Sequence, residues 1–408
     1  MKKLIVVIIA IVTYNSTNAQ GINFEKGTFA EALEKATAEK KLIFIDCYTT
    51  WCGPCKKMAK DVFPQPEVGE FMNEKFVNLK INMEQGEGIT LVEQYNVKAF
   101  PTLLFLDGTG KEVHRVVRGL NAEELLNEAN NAADPSKRLD ILANKYNQGN
   151  RELALVSAYV VGLSKAFQQE KAEKIAQEYI KTMPKEDYKS TVGFSIFGYG
   201  GGVPYKSEAY TYIFENRSVF ENIEGIGKES VDYVIGSAIR NYVTNVAKTG
   251  TLPELKKAIE STKKEFISPR QESLESSFYN QYYLANKMYD TWFDTNKAAA
   301  DALLESDKEK AESSDISMAY LNIAYQIAVV PTFKEANLYD KAITMMEKVK
   351  ADDKGFLPMY YCLAELYKNV NNKQLALENV NAFIEMTRAA GRDDDPRIFN
   401  LKTEIEKM

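Results

Sequence analysis

Histidine is almost missing from this chain: its 408 residues contain one, His114. A two-histidine metal site and a pair of catalytic imidazoles are therefore excluded. His114 itself lies in a run, Lys111 to Arg118, that reads as an exposed strand. Cysteine is sparse as well. Four in a chain of this length do not make a disulfide framework. They fall as one close pair, Cys52 and Cys55, and two singles, Cys47 and Cys362. That distribution lacks the paired spacing of a zinc site, so no metal ligands are assigned and no cofactor is called for. An excess of basic charge is absent too. The net charge of −6 with mixed signs argues against a phosphate-driven nucleic-acid partner.

What is present begins with a short leader. Lys2 and Lys3 precede Leu4 to Val12, an apolar run too short to span a bilayer, and Thr17-Asn18-Ala19 offers a small residue for cleavage. Residues 1–19 are thus expected to be a signal peptide. The protein would be exported, periplasmic or secreted, with no membrane span after signal removal, into a compartment where disulfides persist. The remaining length and an apolar content of 45% are enough for two cores.

The first of these is organised around Trp51-Cys52-Gly53-Pro54-Cys55. Lys41 to Cys47 is an apolar run that reads as a buried strand, and Lys56 to Lys60 reads as helix. Two thiols at a helix start form a redox pair. Unpaired backbone N–H groups and the positive end of the helix dipole should make Cys52 ionise more readily than a free thiol. Cys55, one turn further in, is expected to be the more buried and to resolve a mixed disulfide.

Around that pair the periodicity predicts helix 29–38 capped by Thr28, and strand 41–47. The redox helix should stop by Val62 because Pro64 and Pro66 follow. A short helix 66–74, strand 76–83 and helix 89–95 come next. An apolar strand ending at Leu106, a turn at Asp107-Gly108-Thr109-Gly110, a strand 111–118 and a helix from Asn121 to Ala133 complete the order. Strand-helix-strand crossovers first and a hairpin last predict a mixed sheet with helices on both faces.

Residues from about 22 to 133 resemble a thioredoxin domain. Trp51-Cys52-Gly53-Pro54-Cys55-Lys56 is similar to that family's active-site motif. Asp46 falls on its buried acid, Lys80 on the lysine that pairs with the acid, Phe100-Pro101-Thr102 on the cis-proline loop, and Gly119 on the glycine after the last strand. The region Val62-Phe63…Val68…Phe71 and the stretch Met83-Glu84…Gly86 also resemble the periplasmic thioredoxin-like domain of membrane thiol:disulfide interchange reductases. Phe100 departs from the family, being bulkier than the usual aliphatic residue. The resemblance implies an α/β thioredoxin fold over 20–134 and a protein-disulfide reductase or isomerase, with Cys52 and Cys55 as its thiols. It further implies disulfide-containing protein substrates, and a thiol protein as electron donor or acceptor.

Each supporting residue then has an expected task. A carboxylate at Asp46, buried beneath the thiols, would carry a raised pKa and could take the proton of Cys55; the alternative is a strand-end aspartate that only bonds nearby backbone. Lys80 would pair with it. Trp51 is expected at the surface beside the substrate groove, and Phe100 and Pro101 would present backbone to an incoming extended peptide. Gly53-Pro54 between the cysteines resembles the reducing end of the family's range, about −270 mV for thioredoxin. Cys47 alternates with Asp46 along the strand and reads, like Cys362, as a buried thiol.

Beyond Asp134-Pro135-Ser136 the pattern becomes helical, and 135–408 is read as an α-helical, tetratricopeptide-like domain. The best spacing is Tyr360, Leu363, Ala364, Tyr367, Ala376, Val380 and Phe383. Gly198 to Gly202 reads as a loop between helices. The aromatics Phe278, Tyr279, Tyr282, Tyr283, Tyr289, Trp292 and Phe293 read as a core face with some excess that could line a peptide groove. Two functions remain: an exported thiol-disulfide oxidoreductase whose helical half recruits partners, and a helical-repeat scaffold with a mainly structural thioredoxin domain.

Overall fold

The computed structural model describes residues 21–265, 271–306, 313–391 and 396–408. The expected signal peptide, 1–19, lies outside the described residues. The chain divides into two compact units. One runs to Val203 and takes in Thr211–Val234; the other comprises Pro204–Tyr210 and Ile235–Met408.

In the first unit, α1 (Phe29–Glu39) starts at Thr28, whose hydroxyl accepts the Glu31 N–H at 3.2 Å while the Glu31 carboxylate accepts the Thr28 N–H at 2.6 Å. This reciprocal cap satisfies two donors that a helix start leaves unpaired. Next come β1 (Leu42–Tyr48), α2 (Gly53–Asp61), α3 (Pro66–Lys75) and β2 (Phe76–Asn82). They are followed by α4 (Gly88–Gln94), β3 (Thr102–Leu106), β4 (Glu112–Val117) and α5 (Ala122–Ala133). Pro64 cannot extend α2, and Pro66 opens α3 at a position where its missing N–H costs nothing. The sheet order is β2-β1-β3-β4, with β1 and β2 parallel and the other two pairs antiparallel.

Strand alternation sends the side chains of β1 to two cores. Phe44 joins Phe105, Met58, Val68, Met72, Leu125 and Ala129 on the face covered by α2, α3 and α5. Ile43, Ile45 and Cys47 join Leu104, Leu106, Ala32, Ala36 and Leu91 on the face covered by α1 and α4. Burying each large apolar side chain contributes about 1.5–3 kcal/mol. The β3–β4 turn is held by Asp107, whose Oδ1 accepts the N–H of Thr109 at 2.9 Å and of Lys111 at 3.1 Å. Gly110 takes φ +82° there, a conformation that favours glycine.

His114 is a correction. It is buried, not on an exposed strand. Its Nε2 lies 2.9 Å from Oε2 of Glu128 on α5, and the other Glu128 oxygen accepts from Lys165 at 2.5 Å. Burial pushes the Glu128 carboxyl up, but the hydrogen bonds from His114 and Lys165 and the Lys165 charge outweigh it, leaving the group lowered to about 2.

Helices α6 (Leu139–Asn147) and α7 (Leu153–Lys165), which carries Lys165, pack on β4. The thioredoxin-like elements end with α5 at Ala133, while the compact unit that contains them continues through α6 and α7. Among the described residues no strand follows β4. Gly198 and Tyr199 form the end of helix Thr191–Tyr199; Gly201 and Gly202, both at positive φ, lead the chain away from it. The helix thus takes in the first two residues of the expected loop.

The second unit is built of helices. Leu357–Asn369 and Lys373–Ala389 pack together through buried Leu363, Ala364, Ala376 and Val380. Alanines at these positions let two helix backbones approach closely. Phe278, Trp292 and Phe293 are buried, and half-buried Tyr283 and Tyr289 pack on the same unit's core. Among the described residues no helix is long and apolar enough to cross a membrane.

Candidate active site: a disulfide at a helix start

Cys52 is the N-cap of α2, with extended backbone angles (φ −70°, ψ 108°) and Pro54 just inside the helix. Its Sγ accepts the backbone N–H of Cys55 at 3.1 Å, so the sulfur occupies the place of a capping oxygen. A disulfide joins Cys52 to Cys55, with Cα atoms 5.3 Å apart. Both cysteines are 3% exposed, so in this oxidised state Cys55 is no more buried than Cys52. Gly53 and Pro54 are exposed between them.

Asp46 follows from the alternation of β1. It points away from the Cys47 side, toward the sheet face that α2 covers, and is fully buried. Neither carboxylate oxygen accepts a hydrogen bond from the protein. Lys80 is its register partner on β2, and the Lys80 Nζ lies 3.8 Å from Oδ2. The ammonium also sits 5.0 Å from the ring centre of Tyr48 and 5.6 Å from that of Phe63, so two aromatic faces share its charge. Burial pushes the Asp46 carboxyl up to about 7, with Lys80 pulling the other way. Cys47 is buried on the opposite face, and burial, reinforced by the Asp46 charge, holds its thiol well above the usual range.

The Phe100–Pro101 peptide is cis. Thr102 is fully buried and donates its hydroxyl to the Ala99 carbonyl at 2.7 Å, closing the loop on itself. It opens β3, where it pairs with Cys47 at the same end of β1 as Asp46. Gly119 approaches Pro54 so closely that a Cβ there would lie 3.2 Å from the proline Cβ, tighter than ordinary contact. Trp51 is 38% exposed and meets the Phe100 ring edge to face at 6.0 Å between centroids. Its indole N–H donates to Oε1 of Glu84 at 2.9 Å. Sequence reasoning left Glu84 in a turn. The available signal is an acidic residue two positions after β2.

This is a dithiol site on a thioredoxin-like fold. Residues 29–133 match the family described as a thioredoxin-like domain. Among known proteins, Thioredoxin-T of Drosophila melanogaster is 38% identical over 88 residues, 22% of this chain and 52% of that protein. The thiol:disulfide interchange protein DsbD of Tatumella citrea is 31% identical over 116 residues, 27% of this chain and 20% of that protein. A solution structure of a candidate disulphide-isomerase from Bacteroides thetaiotaomicron is 47% identical; the match covers 28% of this chain and 95% of that one, at a TM-score of 0.27. The chain thus spans about half of the first relative and a fifth of the second. The chain carries a thioredoxin-like domain with a Cys52–Cys55 pair, similar to disulfide oxidoreductases, followed by many helices.

Proposed function

We propose that this protein is an exported thiol-disulfide oxidoreductase that reduces or isomerises disulfides in partner proteins. The observation that carries the reading is the Cys52 sulfur capping α2, with a buried carboxylate on the sheet face below the helix. In the reduced protein the Cys52 thiolate keeps the Cys55 amide as a donor and attacks one sulfur of a substrate disulfide. The substrate S–S bond breaks, one substrate thiolate leaves and takes a proton, and a mixed disulfide forms. Asp46 then accepts the Cys55 proton, Cys55 attacks the Cys52 sulfur, and the second substrate thiolate departs. Two electrons pass to the substrate, and the Cys52–Cys55 disulfide is the product. A thiol protein must then donate two electrons to reset it.

Lys80 positions Asp46 and limits the rise in its pKa. Trp51 and Phe100 form an aromatic wall beside the dithiol, and the Phe100 backbone receives an extended substrate segment, as a strand adds to an open edge. Thr102 contributes by holding that loop. Gly53 and Pro54 are the exposed residues of the motif that a substrate meets first, and export rests on the composition of residues 1–19. The helical residues 135–408 act as a tetratricopeptide-like partner-recruiting region; the buried alanines of the Leu357–Ala389 helix pair support that name.

The test is the equilibrium reduction potential of the full chain against glutathione. A value near that of thioredoxin, about −270 mV, supports a reductase; a value above about −180 mV overturns it. Cys52→Ser should abolish turnover of a protein disulfide, and wild-type turnover in that variant would remove Cys52 as nucleophile.

A further inference from the structure

The solvent face of α2 carries more charge than the redox chemistry uses. Lys56, Lys57 and Lys60 follow Gly53 at helical spacing, and all three are exposed, whereas Cys55 and Met58 turn inward. None of the three forms an ion pair or side-chain hydrogen bond among the described residues, Asp61 on the same helix included. Lys56 and Lys60 stand one turn apart, as do Lys57 and Lys60, so the pairs repel one another. Lys60 stands in the last turn of α2, where the helix dipole favours a cation, whereas Lys56 and Lys57 lie nearer its start and gain no such support. Helix stability therefore gives no reason for Lys56 and Lys57. Lys98, two residues before Phe100, is also exposed and has no ion pair among the described residues. Glu84 accepts the Trp51 indole N–H and keeps its negative charge on the Trp51 side of the motif. A chain with a net charge of −6 thus presents three exposed, unpaired lysines on the helix that carries its disulfide.

We propose that Lys56, Lys57 and Lys60 form a docking surface for an acidic protein partner that brings a disulfide, or a dithiol, to Cys52. The inference rests on the redox function proposed above and names its substrate class. Charge complementarity argues for the partner: opposite charges flanking the reacting sulfurs raise encounter rates and fix orientation. A protein is favoured over other polyanions because the row starts one turn from Cys52, where only a sulfur-bearing partner gains from being held.

The experiment measures kcat/KM for reduction of two synthetic disulfide peptides with the same core, one flanked by glutamates and one by lysines. The full chain is used, at about 0.01 M and about 1 M salt. At low salt the acidic peptide should react about tenfold faster, and high salt should close the gap. In a K56E/K57E/K60E variant the preference should reverse, and in K56Q/K57Q/K60Q it should vanish. Equal rates for the two wild-type reactions, or a preference that ignores salt, overturns the docking surface and leaves the redox function standing. Reduction of neither peptide overturns both. Equal peptide rates together with lysine-dependent binding to anionic phospholipid vesicles would assign the face to a membrane surface and overturn the proposal. The wild-type salt comparison needs no variant to fold.

Discussion

The Nζ of Lys80 stops 3.8 Å from Oδ2 of Asp46, close enough to attract and too far to hydrogen-bond. The two are register partners on parallel strands, so the backbone brings their side chains together. A buried carboxylate left without a donor holds its proton up to about 7, against 3.8 for the free group.

That shift makes Asp46 a destabilising group at neutral pH. Below about pH 4 it is protonated in both states and adds no pH-dependent cost. As pH rises toward 7, the unfolded chain has released the proton while the folded one retains it, and stability falls. Asp46→Asn should therefore raise stability at pH 8 by on the order of 2–4 kcal/mol and flatten its pH dependence between 4 and 7. Turnover should drop about a hundredfold through slower resolution of the mixed disulfide. Thermal denaturation across pH and stopped-flow kinetics check both halves.

Glu128 has the opposite sign. Its folded pKa of about 2 lies below the model-compound 4.5, so its contribution is complete above about pH 4.5 and is lost as pH falls to 2. Glu128→Gln should cost about 2–3 kcal/mol at pH 7 and remove much of the acid-induced loss, read by urea denaturation at pH 7 and pH 3.

Glu84 anchors Trp51 through one hydrogen bond. Glu84→Ala should free the indole from Phe100, change the Trp51 fluorescence, and raise KM for protein substrates severalfold. Stability should fall by about 1 kcal/mol. Glu84→Gln keeps an acceptor oxygen and should restore KM.

Local pattern carried much of this architecture. The alternation of 42–48 put Asp46 and Cys47 on opposite faces, the prolines at 64 and 66 ended α2, and Asn121 with Glu124 marked the start of α5. Contacts between distant segments were legible only where the family resemblance supplied them, as for Asp46 and Lys80. His114 sits in a strand with Glu112 and Arg115, which reads as solvated. Its burial depends on Glu128 and Lys165, residues whose proximity only the tertiary fold creates. Glu84 was passed over for the same reason, since its partner lies 33 residues upstream.

The central claim is the division of labour between the two thiols, and trapping tests it most directly. Purified Cys55→Ser and Cys52→Ser variants are reduced, mixed with an oxidised protein substrate, alkylated and run on a non-reducing gel. Cys55→Ser should accumulate a mixed disulfide that dithiothreitol releases, and Cys52→Ser should accumulate none. Equal trapping by both variants, or an adduct formed only by Cys52→Ser, would contradict attack by Cys52 and resolution by Cys55.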